Sequence, residues 1–207
     1  MQTNMTDDQK RVAIAMDVVG KLKSNKVKAK MNSWLNFLGT LFTKQDIDGG
    51  VQLQDKFRDA RGCEACAIGT MFVSAVDLYN DLKCSEVYRH TLSEYSYASY
   101  LELVDFKHYL LKFFSEDQIH LIECAFEFGH GGFHAETDEQ FCAASMFWNI
   151  EDPKTRMIAI MSNIIDNNGA FAVPVNQTLL NLWNDVVCDF DIDAVDEDDR
   201  PLYDYEY

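Results

Sequence analysis

Two cysteines lie three residues apart at the start of an apolar run, in the segment RGCEACAIGTMFVSAV (residues 61–76). Cysteines at this spacing are typical of zinc sites and of redox dithiols. Zinc needs four ligands, and the sequence offers two half-sites of suitable internal spacing, separated by 63 residues: Cys63, Cys66, His130 and His134. One hypothesis is therefore a small zinc-binding protein or enzyme in which these four residues hold the metal.

Two further interpretations of the same cysteines stand beside the zinc site. A redox dithiol needs its first thiolate at a helix N-terminus, where Cys63 could lie, but such motifs usually follow a buried strand, and the polar segment KFRDARG precedes the pair here. In the remaining interpretation Cys63 and Cys66 lie one turn apart on the inner face of a helix and fill a tight contact beside Gly69. We favour this packing role, with no cofactor and no catalytic residue.

The C-terminal segment is a second candidate site, made of acids. Residues 189–207 contain nine acidic and four aromatic residues. By composition this tail is either a solvated, disordered segment that keeps the molecule soluble, or a docking segment whose aromatic side chains anchor in a partner. The candidate partner-binding residues are Asp189, Asp191, Asp193, Asp196, Glu197, Asp198, Asp199, Tyr203 and Tyr205.

Apolar residues recur at helical spacing along most of the chain, and this periodicity predicts the elements that position the candidates. A first helix runs from its N-cap, Thr6, to about Lys23. The predicted core helices span residues 64–82, 116–127 and 154–166. Residues 45–62 contain two adjacent glycines and many polar residues, which predicts a loop.

The fold class that follows is all-α or strongly α-biased. We expect a single helical-bundle-like domain (1–188) followed by an acidic, flexible tail (189–207). The clearest helix starts at the N-cap Asp152 with Pro153 in its first position, and ends at Asn167-Asn168-Gly169. The side chains expected in the core are Phe72, Ile122, Phe126, Ile160, Met161 and Ile164.

The charge balance excludes several classes of partner. The chain has 34 acidic and 18 basic residues, a formal charge of -16. Direct binding to DNA, RNA or an anionic membrane is therefore not expected, and a basic protein partner is favoured. The lysines between Lys21 and Lys30 form the one basic island, which we interpret as a solvated helix end. The oligomeric state stays open, with a homodimer among the alternatives.

The cysteines and the N-terminus indicate a compartment. Six cysteines are scattered through apolar surroundings, which favours free thiols in the cytosol. The N-terminal segment MQTNMTDDQKR has no apolar stretch of the kind found in signal peptides, and no segment reaches the ~18 apolar residues of a membrane span. We expect a cytoplasmic protein.

Three segments, GCEACAIGTMFVSAV, FFSEDQIHLIECAFEF and RMIAIMSNIIDNNGAF, resemble in their order a family of proteins from bacteriophages and bacterial mobile elements. The resemblance covers about half of the chain. It implies a phage origin and action inside the host cell, and it brings no reaction and no catalytic residue. We therefore expect a non-enzymatic accessory protein that binds a host protein through an acidic surface and inhibits a nucleic-acid-handling or restriction-type defence system.

Overall fold

The computed structural model describes residues 5–31, 33–37, 44–59, 62–88, 103–127, 135, 137–178 and 180–181. Helices dominate this part of the chain and a small sheet accompanies them. The strongly α-biased fold class is thus confirmed. In chain order the elements are α1 (Asp7–Lys23), β1 (Val27–Ala29), β2 (Leu35–Phe37), α2 (Lys44–Asp48), α3 (Leu53–Asp59), β3 (Cys63–Ala65), α4 (Ala67–Tyr79), α5 (Cys84–Tyr88), α6 (Leu103–Leu110), α7 (Glu116–Glu127), α8 (Asp138–Met146) and α9 (Pro153–Asp166).

The chain forms two compact units, Met1–Pro174 and Val175–Tyr207. All twelve elements named above belong to the first unit. The second unit includes helical residues at 177–178 and 180–181. The domain boundary expected at residue 188 lies outside the described residues.

Helix α1 starts where its sequence predicts. The hydroxyl of Thr6 accepts a hydrogen bond from the backbone N–H of Gln9, and the side chain of Gln9 accepts one from the backbone N–H of Thr6, which completes a capping box. Its inner face packs against α9 and α4. The fully buried hydrophobic residues of that face are Ile14, Ala15, Val18 and Leu22.

Helix α9 also follows the prediction at both ends. The carboxylate of Asp152 accepts a hydrogen bond of 2.8 Å from the backbone N–H of Thr155, and Pro153 occupies the first turn. At the other end Asn168 and Gly169 have positive φ angles of 53° and 96°. The N–H of Gly169 bonds to the carbonyl of Ile164, which satisfies one of the last carbonyls of the helix.

The core is the one that the periodicity predicted. Each of the six side chains expected in the core is 0% exposed: Phe72, Ile122, Phe126, Ile160, Met161 and Ile164. They come from α4, α7 and α9, which lie in contact with one another in the pairs α4–α7 and α7–α9.

The three-stranded sheet was not anticipated as such. Its order is β1-β3-β2, with β3 parallel to β1 and antiparallel to β2. Each strand has three residues, too few for an alternating pattern to show in the sequence. Of the helix predicted over 64–82, residues 64–65 belong to β3 and Cys66 is the N-cap, so α4 covers only Ala67–Tyr79.

The loop predicted over residues 45–62 is wrong in most of its length. This segment forms α2 and α3, and Gln52 makes an isolated bridge with Lys83. Leu53 and Phe57 lie one turn apart on α3 and are buried. Two apolar anchors are enough to hold a short helix on the core, since most helix stability in proteins comes from tertiary packing.

Within the described ranges, no helix combines the length and the apolar character that a bilayer crossing demands.

Candidate functional site

The two cysteines of the CxxC segment lie in different elements. Cys63 is the first residue of the central strand β3, and Cys66 is the N-cap of α4. The packing interpretation, which placed both on one face of a helix, is therefore wrong about their position. The physical reason is that residues 63–65 pair with both neighbouring strands, so their backbone groups are committed to the sheet and the helix begins only at Ala67.

The tight contact expected beside Gly69 does exist. The backbone N–H of Cys66 donates to the carbonyl of Ser33 at 2.6 Å, and its thiol lies 3.6 Å from the carbonyl oxygen of Trp34. A Cβ atom on Gly69 would overlap that same Trp34 carbonyl and lie 3.2 Å from the Cβ of Ala65. We call residues 63–69 the CxxC junction, because they turn the chain from strand to helix under the backbone that leads into β2.

Burial keeps both thiols protonated. It raises the pKa of Cys63 to about 12, and the nearby ammonium group of Lys21 only partly opposes this effect. It also raises the pKa of Cys66 to about 12, although the N–H groups of Gly69 and Ile68 at the start of α4 favour the thiolate. A thiol with such a pKa is neutral at physiological pH, and the thiolate is the form that attacks disulfides or binds metals.

The redox interpretation also meets the wrong geometry. It needs the first cysteine at a helix N-terminus, but the first cysteine lies in the strand and the second one caps the helix. The structure gives the five described cysteines as free thiols: Cys63, Cys66, Cys84, Cys124 and Cys142.

The structure describes two of the four ligands of the predicted zinc site, Cys63 and Cys66. His130 and His134 lie outside the described residues. Among the residues that are described, no group of three or more histidine, cysteine, aspartate or glutamate side chains is placed to hold a metal ion. A zinc site made of Cys63, Cys66, His130 and His134 stays a prediction.

The lysine island is a solvated helix end only in part: Lys23 and Lys26 are exposed, but the other three lysines form ion pairs. Lys21 is 7% exposed and lies between Asp17 of α1 and Asp77 of α4, with its ammonium 2.8 Å from Asp77. Lys28 and Lys30 contact Glu64 of β3 at 2.8 Å and 2.7 Å. These two hydrogen bonds lower the pKa of Glu64 to about 2. Two features of the sequence indicate these ion pairs. Asp17 lies four residues before Lys21, and Lys28 stands between the apolar residues Val27 and Ala29, which the structure buries.

Other basic side chains are also used inside the molecule. Arg11 donates to the carbonyls of Gly169 and Phe113, each at 2.8 Å. Arg156 is buried and donates to the carbonyls of Ile150 at 2.8 Å and Phe126 at 3.0 Å. These hydrogen bonds join α1 and α9 to the ends of other elements, so the two arginine side chains stabilise the fold.

Seven acidic side chains lie exposed at helix N-termini. Acids occupy the first turns of α1, α7 and α8, and Asp152 is the N-cap of α9. A carboxylate is stabilised there by the positive end of the helix dipole and by unpaired N–H groups. The exposed acids at these places are Asp7, Asp8, Glu116, Asp117, Asp138, Glu139 and Asp152.

The candidate partner-binding residues of the tail are not placed. All nine, from Asp189 to Tyr205, lie outside the described residues. Comparison of the chain with protein-family models, with curated protein sequences and with solved structures finds no match in any of the three. The resemblance to phage and mobile-element proteins therefore stays a prediction.

Proposed function

We propose that the protein is a non-enzymatic binding protein that offers an acidic surface to a basic protein of the cell in which it acts. The observation that carries this proposal is the net charge of the chain. With 34 acids and 18 basic residues, the negative charges of the chain exceed the positive ones by 16. An excess of this size attracts and steers basic partners.

The use of the basic residues strengthens the argument. Nine of the 18 form ion pairs within the described part of the chain, and several of these pairs are partly or fully buried. These cations already have acidic partners within the chain, so they do not offset the excess of 16 negative charges. The nine are Lys10, Arg11, Lys21, Lys28, Lys30, Lys56, Arg58, Lys107 and Lys112.

The state of the thiols supports binding rather than catalysis. Cys63 and Cys66 carry the residue types of a reactive site, yet both are buried and burial raises the pKa of each to about 12. A nucleophile or redox thiol is instead exposed and has a lowered pKa.

For the class of partner, we propose a nucleic-acid-handling protein of the host, in particular a restriction-type defence system. Duplex DNA carries about one negative charge per 1.7 Å of its axis. A surface of carboxylates also presents closely spaced negative charges to a protein that binds DNA. The resemblance to phage and mobile-element proteins fits this role, and the tail from Asp189 to Tyr205 is the segment whose composition suits it best.

The test is capture of host proteins on the immobilised full-length chain, with DNA as a soluble competitor. We expect the captured proteins to be basic, to be displaced by duplex DNA, and to elute as salt rises from ~0.1 M to ~1 M, because the Debye length falls from about 10 Å to about 3 Å. Capture that neither salt nor DNA weakens would contradict the proposal.

Two variants extend this test: one locates the surface that binds the partner, and the other tests the alternative of a zinc-binding protein. A chain that ends at Val187 lacks the tail: loss of capture assigns the contact to the tail, and unchanged capture assigns it to the helical unit. The double variant Cys63→Ser with Cys66→Ser is the second. Stoichiometric zinc in the parent protein that this variant loses would support a metalloprotein instead.

A further inference from the structure

Helix α1 lines an open groove of about 720 Å³ on the side away from the core. The walls that the structure describes are mostly apolar, and the groove reaches Asn168 at the end of α9. Its apolar wall residues are Met5, Val12, Ala13 and Met16. We call this surface the α1 groove.

The groove exists because α1 is apolar on two opposite sides. Ile14, Val18 and Leu22 recur at intervals of four and face the core, where they are 0% exposed. Val12 and Met16, also four apart, lie about half a turn away from that stripe, since each residue advances by 100° around the helix. Met16 is 60% exposed. An ordinary surface helix has one apolar stripe and a polar opposite face, so the second stripe requires an explanation.

Charge decides what fits the groove. Asp8 is the only ionisable side chain among the described residues that line it, and Asp7 lies beside it in the first turn of α1. The two nearby cations are already engaged within the chain, because Lys10 pairs with Asp7, and Arg11 pairs with Asp8 and also donates to the carbonyls of Gly169 and Phe113. The side chains of Asp7 and Asp8 nevertheless stay 68% and 65% exposed, and exposed ion pairs of this kind are weak. An apolar floor with an acidic end, on a chain of charge -16, complements an amphipathic segment that is apolar on one side and basic on the other.

We propose that the α1 groove is the docking site for a basic amphipathic helix of the partner protein. This inference rests on the proposed function and names the chemistry of the contact. Apolar side chains of the partner helix at positions i, i+3 or i+4, and i+7 pack along Val12, Ala13 and Met16. Its lysine or arginine side chains face the acidic surface around Asp8.

The two kinds of contact have different roles. Exposed carboxylates attract the partner over a distance and raise the rate of association, which salt lowers. The apolar contact with Met16 holds the bound helix and sets the rate of dissociation. Methionine suits this role because its flexible, polarisable side chain adapts to different apolar partners.

The test uses three synthetic helical peptides with the same leucine face and with lysine, glutamine or glutamate on the other face. Fluorescence anisotropy measures their affinity for the full-length protein, for Met16→Glu and for Trp148→Glu. Trp148 is the matched control, because it is 67% exposed and lies outside the groove. Both variants add the same negative charge, so a difference between them reports the apolar contact.

We expect the lysine peptide to bind most tightly and the glutamate peptide least. Met16→Glu lowers the affinity of the lysine peptide at least about tenfold, as expected for a central apolar anchor, and Trp148→Glu leaves it unchanged. Added salt slows association of the lysine peptide in all three proteins. The effect of Met16→Glu lies in the dissociation rate.

The other outcomes separate the groove from the acidic surface. If the lysine peptide is preferred but Met16→Glu has no effect, or only Trp148→Glu has one, the groove is not the docking site and the acidic surface survives. If the lysine and glutamine peptides bind equally and both lose affinity in Met16→Glu, the groove binds helices but the basic partner and the proposed function fail. If no peptide binds, the inference is overturned.

Two controls complete the experiment. Sedimentation of the parent protein and of Met16→Glu tests for a second copy: a dimer that the substitution abolishes would make the occupant another molecule of this chain and overturn the proposal. Unfolding midpoints verify that each variant folds. If Met16→Glu does not fold, Met16→Gln removes the same contact without a new charge, and its effect on binding decides.

Discussion

The CxxC junction and the α1 groove carry opposite combinations of residue type and environment. The junction has two cysteines, the residue type most suited to chemistry, but Cys63 and Cys66 are buried and protonated. The groove has unreactive residue types, but Met16 is 60% exposed next to an acidic helix end. In this protein the residue type most suited to chemistry is thus buried, and exposure and charge, rather than residue type, are the grounds for proposing the α1 groove as a docking surface.

Two glycines, one in the CxxC junction and one on α1 outside the groove lining, show the same difference in packing. Gly69 belongs to the CxxC junction, and a Cβ atom there would overlap the carbonyl of Trp34. Gly20 lies on the exposed side of α1, and apart from its chain neighbours and the adjacent helix backbone no atom lies within 4 Å of a Cβ built on it. The same substitution at the two positions is therefore the most direct way to test how differently the regions are packed.

The largest effect is expected for Gly69→Ala. The new methyl group meets backbone atoms, which cannot rotate away, so β2 and α4 must separate and the bond between Cys66 and Ser33 must lengthen. We expect a loss of more than about 3 kcal/mol in the free energy of unfolding, measured by urea denaturation, or no folded protein. A variant with the stability of the parent would show that the junction is loosely packed.

The next effect concerns the thiols of the junction and appears at alkaline pH. Burial raises the pKa of Cys66 from 9.0 to about 12, so the unfolded chain loses this proton more readily than the folded one. The contribution of the thiol to stability is thus complete below pH 9 and is lost as the pH rises from about 9 to about 12. Within this window each pH unit removes up to about 1.4 kcal/mol.

Cys66→Ser is the matched control for this pH dependence, because serine fits the site and does not ionise. The free energy of unfolding of the parent should fall more steeply with pH than that of the variant, as followed by urea denaturation at pH 8 and above. Lysines and tyrosines titrate in both proteins, so only the difference between the two slopes counts. Equal slopes would mean that Cys66 ionises normally and that the junction is open to water.

The sequence predicted the parts of the fold that depend on local signals. Helices α1 and α9 have caps that are encoded within three residues, at Thr6 and Asp152, and their apolar stripes are long enough to define a period. Six core residues were placed correctly because they belong to three such stripes. The predictions of helix starts and of buried residues were confirmed where the residues that indicate them lie within a single helix.

The parts that the sequence did not predict depend on contacts between distant segments. The strand β3 exists because residues 27–29 and 35–37 pair with it on both sides, and no pattern within three residues encodes this. The sequence also could not place Lys21 between Asp17 and Asp77, since Asp77 is 56 residues further along the chain. The α1 groove could not be predicted either, because Val12 and Met16 recur at the same helical spacing as the buried Ile14 and Val18, and only the packing shows which stripe faces outward.

The smallest effect, and the opposite sign, is expected for Gly20→Ala. Gly20 lies inside α1 and is exposed, so alanine adds no clash. Glycine in a helix interior is less favourable than alanine by roughly 0.5–1 kcal/mol, mainly because the unfolded chain has more freedom to lose. We expect Gly20→Ala to stabilise the protein by about this amount in the same urea denaturation experiment.

Gly20→Ala also tests the α1 groove without changing its lining. Gly20 is not among the described residues that line the groove, so the affinity for the lysine peptide should stay at the value of the parent while the stability increases. A loss of affinity would extend the docking surface by one turn towards the end of α1, because the partner helix would then approach the backbone at Gly20. A loss of stability would mean that the side of α1 around Gly20 is covered in solution, and the exposed second face on which the groove depends would have to be abandoned.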